Sequence, residues 1–277
     1  MGINHQRKTL FAISWFIAIF IIIASGVGLL DPNIYAKETP NWHAQSIAQD
    51  LVNLFLIAPF LIITSVLAFK ANKIAEMLWS GVIFYLIYTY TIYCFDVHFN
   101  SLFILYCLIL GSSFYSFIYF LLKQSKKPII HMTSHHTIFK ITGIYLIAIA
   151  CIIYLTWLSS IIPAVMMGNT IPKELVETGL ATNPVYALDL SVCLPGLFIV
   201  GLLAFKGKPI GLTLAPALLV FCILMNITIG IIAMVMKIKG FHYDLSVTMA
   251  MSVLALFSIV LLLIGLKDIK YNALIPG

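Results

Sequence analysis

The sequence has very little charge for its length. Asp, Glu, Lys and Arg together make up 9% of its 277 residues, whereas soluble domains carry about 25%. Hydrophobic residues make up 62%, and the mean hydropathy is +1.06. This composition excludes a soluble globular protein.

The sequence also lacks the short motifs that identify common catalytic and nucleotide sites. It contains no Gly-x-Gly-x-x-Gly, no Walker loop, no Gly-x-Ser-x-Gly and no His-Glu-x-x-His. Its five cysteines lie in apolar runs without a Cys-x-x-Cys pair, so neither a disulfide framework nor a zinc site is indicated. Nucleotide-driven transport and a standard hydrolase are therefore unsupported, and the cofactor is unknown.

Long apolar runs are what the sequence has instead. A membrane helix needs about 20 mostly apolar residues, and eight runs reach that length. They cover residues 10–30, 51–69, 77–95, 102–122, 139–162, 186–205, 210–236 and 246–266. We therefore predict an all-α polytopic membrane protein with eight transmembrane helices and no soluble domain, whose first partner is the lipid bilayer.

The basic residues indicate how these helices are oriented. With the amino terminus placed in the cytoplasm, twelve of the sixteen Lys and Arg residues fall on the cytoplasmic side. This positive-inside bias predicts that both termini are cytoplasmic. The net charge of +6 is then explained by topology, so no nucleic-acid partner is expected. Eight of the ten carboxylates fall on the outer side, which makes that face attractive to cations.

An internal repeat relates the second span to the sixth. Residues 59–70 read PFLIITSVLAFK and residues 195–206 read PGLFIVGLLAFK, with seven identities in twelve positions. We predict a 4+4 duplication, with the first repeat in residues 1–127 and the second in residues 128–277. Because each half has an even number of spans, both halves enter the membrane in the same direction and form parallel repeats.

One aspartate precedes each copy of this repeat. Asp50 and Asp189 would each begin a helix, where a carboxylate can cap free amides and interact with the helix dipole. Asn183 and Pro184, however, already mark a helix start and place Asp189 more than one turn inside. Asp189 is therefore the strongest single functional candidate, and its alternative role is a hydrogen bond to a neighbouring helix for packing specificity.

The third span carries a stripe of tyrosines at helical spacing. Tyr85, Tyr88 and Tyr93 align with Asp96 on one face. Tyrosines are common in the interfacial belt, but Tyr85 and Tyr88 lie deeper than such a belt reaches. Their hydroxyls need partners at that depth, so this face should contact other helices or a hydrated cleft.

Two histidines occupy matching positions at the starts of the fourth and eighth spans. His98 is followed by Asn100, and His242 is followed by Asp244. Histidine is a metal ligand and an acid or base near neutral pH. The alternative is a solvated turn in which Asn100 or Asp244 caps the next helix.

The chain resembles uncharacterised multi-pass membrane proteins of bacteria. The resemblance is carried by Gln49-Asp50-Leu51, by the tyrosine-rich third span that ends in His98-Phe99-Asn100-Ser101-Leu102-Phe103, and by residues 183–190. It implies a location in the bacterial inner membrane, and it implies no activity.

Two hypotheses for function follow. The first is a transporter or ligand-binding protein with a polar cleft between the halves, open to the outer face and ready for a small-molecule or lipid ligand. Its predicted lining is Asp50, Asn53, Tyr85, Tyr88, Tyr93, Tyr186 and Asp189. The second is a membrane-embedded enzyme acting on a lipid or isoprenoid-like substrate at the outer leaflet. Its candidate acids and bases are Asp189, Asp96, His98 and His242, and its candidate metal ligands are His98, His242 and Asp244.

Overall fold

A computed structural model describes residues 3–126, 129–130, 136–168, 173–241 and 245–272, and these residues form helices and connecting turns. The helices of the first part of the chain are α1 Ile3–Leu30, α2 Pro40–Val52, α3 Ala58–Phe69, α4 Lys73–Phe95 and α5 Phe103–Lys126. Those of the second part are α6 His136–Met166, α7 Lys173–Thr178, α8 Pro184–Leu188, α9 Leu194–Phe205, α10 Pro209–Ile238 and α11 Leu245–Asn272. Two π-helical turns, π1 Asn53–Ile57 and π2 Asp189–Cys193, join α2 to α3 and α8 to α9.

Eight of the resulting helical segments are long and apolar enough to span a membrane. They are α1, α2–π1–α3, α4, α5, α6, α8–π2–α9, α10 and α11. The prediction of an all-helical protein with eight candidate membrane spans is thus confirmed. We call the end of the bundle that carries the connections 31–39 and 96–102 the loop end.

The second span begins much earlier than its hydropathy indicated. Thr39 accepts a hydrogen bond from the Trp42 amide at 3.3 Å, and Pro40 occupies the first turn of α2. Asp50 consequently lies in the last turn of α2, inside a continuous helical segment of 30 residues. The prediction that Asp50 begins a helix is wrong. For α8 the predicted start is confirmed, because Asn183 accepts hydrogen bonds from the Val185 and Tyr186 amides.

The second and sixth spans are interrupted by the same irregularity. In π1 the Ala58 amide bonds to the Asn53 carbonyl, and in π2 the Leu194 amide bonds to the Asp189 carbonyl. One residue after each turn comes a proline, at position 59 or 195. Proline has no amide hydrogen and its ring clashes with the carbonyl four residues earlier, so the helix widens by one residue just before it.

The two segments keep one register far beyond the twelve matching residues. At a constant offset of 136 residues, π1 corresponds to π2, α3 to α9, and the start of α4 to the start of α10. The connecting turns contain Ala71 at φ 69° and Gly207 at φ 68°, again at the same offset. This register pairs Asp189 with Asn53. It differs from the pairing of Asp50 with Asp189 made from sequence, which required unequal gaps before the prolines.

Helices α4 and α10 pack against each other in the middle of the bundle. Their closest approach is at Gly81, where an added Cβ would overlap the Ala217 carbonyl and the Val220 side chain. Gly81 and Ala217 are themselves 136 residues apart. The remaining contacts are also matched, since α2 packs on α10 while α8 contacts α4, and α1 packs on α3 while α6 packs on α9.

We expect Gly81→Ala to destabilise the protein. The added methyl group has no space between α4 and α10, and overpacking of this kind costs about 1–3 kcal/mol. Gly111→Ala is the matched control, because Gly111 lies within α5 and an added Cβ meets no atom there within 4 Å. Thermal unfolding in detergent should show a lower midpoint for Gly81→Ala alone, and equal midpoints for both variants would contradict the packing described here.

Candidate functional site

Asp50 is a carboxylate buried inside the bundle, with 1% of its surface exposed. The Tyr93 hydroxyl donates to its Oδ1 at 2.9 Å and the Tyr35 hydroxyl donates to its Oδ2 at 2.6 Å. Gly28 lies against the same group, since a Cβ there would overlap Oδ2. The Asp50 pocket is therefore formed where α1, the connection 31–39, α2 and α4 converge.

No basic side chain in the described part of the chain pairs with Asp50. The contacts found there between basic and acidic side chains join His98 to Glu38 and Lys123 to Glu76. A charge removed from water without a counter-ion is costly, and carboxylates of this kind within membrane spans mark functional sites. Asp50 therefore does not act as a helix cap, and its surroundings keep it as a candidate functional group.

A second polar site links the first half of the chain to the second. The Gln49 amide donates to Asn53 Oδ1 at 3.0 Å and to the Tyr85 hydroxyl at 2.9 Å. The Tyr85 and Thr228 hydroxyl oxygens are 2.7 Å apart. Because Thr228 donates its own proton to the Leu224 carbonyl at 2.8 Å, Tyr85 is the donor to Thr228. The resulting chain of hydrogen bonds crosses from α2 through α4 to α10.

Asp189 approaches α4 from the other side. The Trp157 indole donates to its Oδ2 at 2.8 Å, and the Trp157 ring contacts the Tyr186 ring at 4.7 Å between centroids. Tyr88 of α4 lies beside the carboxylate. The first residue of each π-helical turn is thus linked to a tyrosine of α4. Asp189 lies beside Tyr88, and Asn53 is linked to Tyr85 through the Gln49 amide.

We call this second site the polar seam. It consists of Gln49, Asn53, Tyr85, Tyr88, Asp189 and Thr228. Two of its buried groups, Asn53 Nδ2 and the Tyr88 hydroxyl, have no hydrogen-bond partner within the described residues. Since buried polar groups in proteins are almost always paired, these two groups need an explanation.

A cavity of about 540 Å³ lies next to the seam at the loop end of the second half. Tyr186, Asn183 and Ser191 supply its polar lining, and apolar residues of α6 and α7 supply much of the rest. The Leu190 carbonyl, at the edge of this cavity, accepts a hydrogen bond from Tyr154 at 2.6 Å. Tyr154 thereby satisfies a carbonyl within π2, as membrane interiors require.

The residues predicted to line one cleft are divided by the structure between these neighbouring places. Asp50 and Tyr93 lie in the Asp50 pocket, Asn53, Tyr85, Tyr88 and Asp189 lie in the polar seam, and Tyr186 lines the cavity. Sequence reasoning did not place Tyr35, Gln49 or Trp157 in a site. Gln49 had a usable signal, because it precedes Asn53 by one helical turn, but Tyr35 and Trp157 come from distant segments.

His98, which was predicted as a metal ligand or as an acid or base, contacts a glutamate in the structure. His98 Nδ1 is 2.9 Å from Glu38 Oε2, and its backbone amide donates to Glu38 Oε1 at 2.7 Å. This contact ties the connection 96–102 to the connection 31–39. Asn100 accepts a hydrogen bond from the Leu102 amide at 2.9 Å, just before α5. It therefore stabilises the turn that leads into α5.

No group of three or more His, Cys, Asp or Glu residues that could hold a metal occurs in the parts of the chain that the structure describes. His242 and Asp244 lie outside those parts. Their roles as metal ligands, and that of His242 as an acid or base, remain predictions from the sequence.

Comparison of the chain with protein-family models, with curated proteins and with solved structures finds no match. The case for a function therefore depends on the contacts above.

We expect Tyr93→Phe to destabilise the protein by about 1–2 kcal/mol, because it removes one of the two hydroxyl groups that bond to the Asp50 carboxylate. Tyr115→Phe is the control, since Tyr115 is 72% exposed on α5. Thermal unfolding midpoints measured in nanodiscs should fall for Tyr93→Phe and stay unchanged for Tyr115→Phe. A midpoint that Tyr93→Phe leaves unchanged would show that the hydroxyl bond to Asp50 adds no stability.

Asp96 should give the protein a pH-dependent stability. Partial burial raises the pKa of this carboxyl, at the end of α4, from its ordinary value to about 6. Folded Asp96 keeps its proton to higher pH than the unfolded chain does, so the free energy of unfolding should decrease as pH rises from about 4 to about 6. Asp96→Asn should reduce this decrease and Asp31→Asn should not, as measured by denaturant titration at each pH.

Proposed function

We propose that this integral membrane protein is a transporter that binds a small polar solute between two four-helix halves. The observation that carries the proposal is the polar seam, a buried set of hydrogen-bonding groups between α4, α10 and the two π-helical turns. Polar groups deep in membrane spans cost free energy, and those that occur there commonly mark a ligand or ion pathway.

The matched architecture supports the two-halves proposal. Residues 1–127 and 128–277 would be parallel repeats related by a pseudo-twofold axis along the membrane normal. Such an axis brings equivalent residues together, and the crossing of Gly81 with Ala217 at the constant offset has that property. Transporters built from repeats bind their substrates between the halves, near the bilayer midplane.

The seam also indicates the chemistry of the solute. Asn53 Nδ2 offers an unpaired donor, the Tyr88 hydroxyl offers a donor and an acceptor, and the Asp189 carboxylate accepts. A solute that carries both donor and acceptor groups fits this set. A purely apolar molecule would leave the same groups unpaired.

Both π-helical turns border the proposed site. Such turns are frequent at functional sites, and the prolines that follow them weaken the helix at that point. At the loop end the Thr39 hydroxyl donates to the Thr178 carbonyl at 2.8 Å, which joins the start of α2 to α7. Opening of the seam toward the loop end would break this contact, with π1 and π2 as the places where the spans bend.

The proposed orientation places both termini in the cytoplasm of a bacterium, with the loop end outside the plasma membrane. Lys and Arg are concentrated in the termini and in the connections at the opposite end of the bundle from the loop end, and this bias supports the orientation.

Reporter fusions test this orientation. A fluorescent protein fused after residue 277 should be fluorescent in a bacterial host, because it folds in the cytoplasm. Alkaline phosphatase fused at the same point should be inactive, whereas its fusion within the connection 96–102 should be active. The reverse pattern of activities would overturn the orientation.

Native mass spectrometry in nanodiscs, combined with elemental analysis, tests the function. We expect a stoichiometric small molecule without a transition metal on the wild-type protein, and its loss in Asp189→Asn. Asp31→Asn, in the connection 31–39, is the matched control and should retain it. If Asp189→Asn keeps the molecule and folds normally, Asp189 is structural and the proposal loses its charged residue.

The cavity beside π2 favours one second candidate, an enzyme that acts on a lipid or isoprenoid-like substrate at the outer leaflet. The cavity is lined largely by apolar side chains and adjoins the turn that carries Asp189. For this candidate, a stoichiometric transition metal should appear in the same elemental analysis and be lost in Asp189→Asn or His98→Ala.

A further inference from the structure

The Asp50 pocket contains buried hydroxyl groups beyond the two that donate hydrogen bonds to the carboxylate. Besides Tyr35 and Tyr93, which donate to Asp50, three buried hydroxyls have no hydrogen-bond partner within the described residues. They belong to Ser25, Tyr90 and Tyr106, each of which is at most 1% exposed.

These three hydroxyls are neighbours of the carboxylate and of one another. The Tyr106 ring contacts the Tyr93 ring at 5.0 Å and the Tyr90 ring at 6.2 Å between centroids. Ser25 of α1 lies beside both Asp50 and Tyr90. Side chains from α1, α2, α4 and α5 thus bring oxygen atoms around one carboxylate.

We propose that this cluster of Asp50, Ser25, Tyr90 and Tyr106 is a binding site for a dehydrated monovalent cation of the size of sodium. Hard cations prefer oxygen ligands, and the pocket offers oxygen atoms only. A single carboxylate balances a single positive charge, and no other acidic group in the described residues forms a metal-binding set with it.

The burial of the cluster and its unpaired oxygen atoms favour a metal cation over the other species that could neutralise the Asp50 carboxylate. A proton also neutralises the carboxylate, but it adds a single donor and no atom that the Ser25, Tyr90 and Tyr106 oxygens can all contact. All the side chains of the cluster are almost fully buried, so its occupant must be dehydrated. A small bare ion neutralises the charge and gives the unpaired oxygen atoms a partner at the same time.

This inference deepens the proposed function and rests on it for its role, since a cation at Asp50 would be the coupling ion for solute bound at the seam. Asp50 and Asn53 lie three residues apart at the junction of α2 and π1. A cation bound in the Asp50 pocket would therefore act on the helical turn that also carries Asn53 of the polar seam.

The test measures thermal unfolding in nanodiscs at fixed pH, with choline chloride replaced stepwise by sodium chloride at constant ionic strength. A ligand that binds only the folded state stabilises it by mass action, so saturating sodium should raise the wild-type midpoint by roughly 5 °C. Asp50→Asn should abolish the increase. Tyr90→Phe and Ser25→Ala should each raise the sodium concentration at half-effect by about tenfold, which corresponds to about 1.4 kcal/mol.

Tyr145→Phe is the control. Tyr145 of α6 is also buried, but its hydroxyl lies 2.6 Å from the Ser258 hydroxyl and belongs to neither polar site, so its sodium response should equal that of the wild type. Should Asp50→Asn fail to fold, the comparison of Tyr106→Phe with Tyr145→Phe decides the same question.

Two results would overturn the inference. One is a wild-type midpoint that is identical in sodium and choline, including the case in which it depends on pH alone and a proton occupies the pocket. The other is a sodium response that Asp50→Asn, Tyr90→Phe and Tyr106→Phe leave unchanged. A sodium response with no solute found at the seam would instead contradict the transport proposal and leave the cation site standing.

Discussion

The close crossing of α4 and α10 is the constraint on which the polar sites depend. Because Gly81 has no side chain, the two backbones approach closely enough for the Val220 side chain and the Ala217 carbonyl to contact α4 directly. Small residues serve this purpose in membrane bundles, where helix association depends on packing. The approach fixes the rotation of α4, and that rotation turns Tyr85 toward Thr228 and Tyr93 toward Asp50.

The second and sixth spans are alike in helical register and unlike in charge. Asn53 and Asp189 occupy the same position of equivalent π-helical turns, but only the second is ionisable. The acidic group of the first half is one turn earlier, at Asp50, where the equivalent residue of the second half is Tyr186. Two segments with the same helical register thus hold carboxylates at different positions and in different surroundings. One is enclosed by tyrosine hydroxyls, and the other is bound by an indole and borders a cavity.

Much of the fold could be predicted from the sequence, because apolar length alone determines how many helices can span a bilayer. The start of α2 could not, since residues 40–50 are too polar to count as membrane helix by hydropathy. Their polar groups are accommodated by local bonds such as Ser46 to the Trp42 carbonyl and Gln45 to Asn41. Averaged hydropathy is insensitive to such pairing.

The site was less predictable than the fold. The tyrosine stripe of α4 was predicted to contact other helices or a hydrated cleft, and its tyrosines are buried inside the bundle. The partners of the carboxylates come from segments far away in sequence, Tyr35 from a connection and Trp157 from α6. Spacing along a single helix contains no information about such partners. Only the packing of the whole bundle determines them.

The position of Tyr35 bears on how fast small species can reach the Asp50 carboxylate. It lies in the connection 31–39, and that connection is held in place by Glu38, which accepts two bonds from His98. The residue that covers Asp50 therefore belongs to a segment whose movement requires breaking a tether to the α4–α5 connection. If Tyr35 must move before water, protons or ions can reach this carboxylate, the lifetime of that tether sets the upper limit of their exchange rate. The pocket can then have a slow exchange rate whatever its affinity.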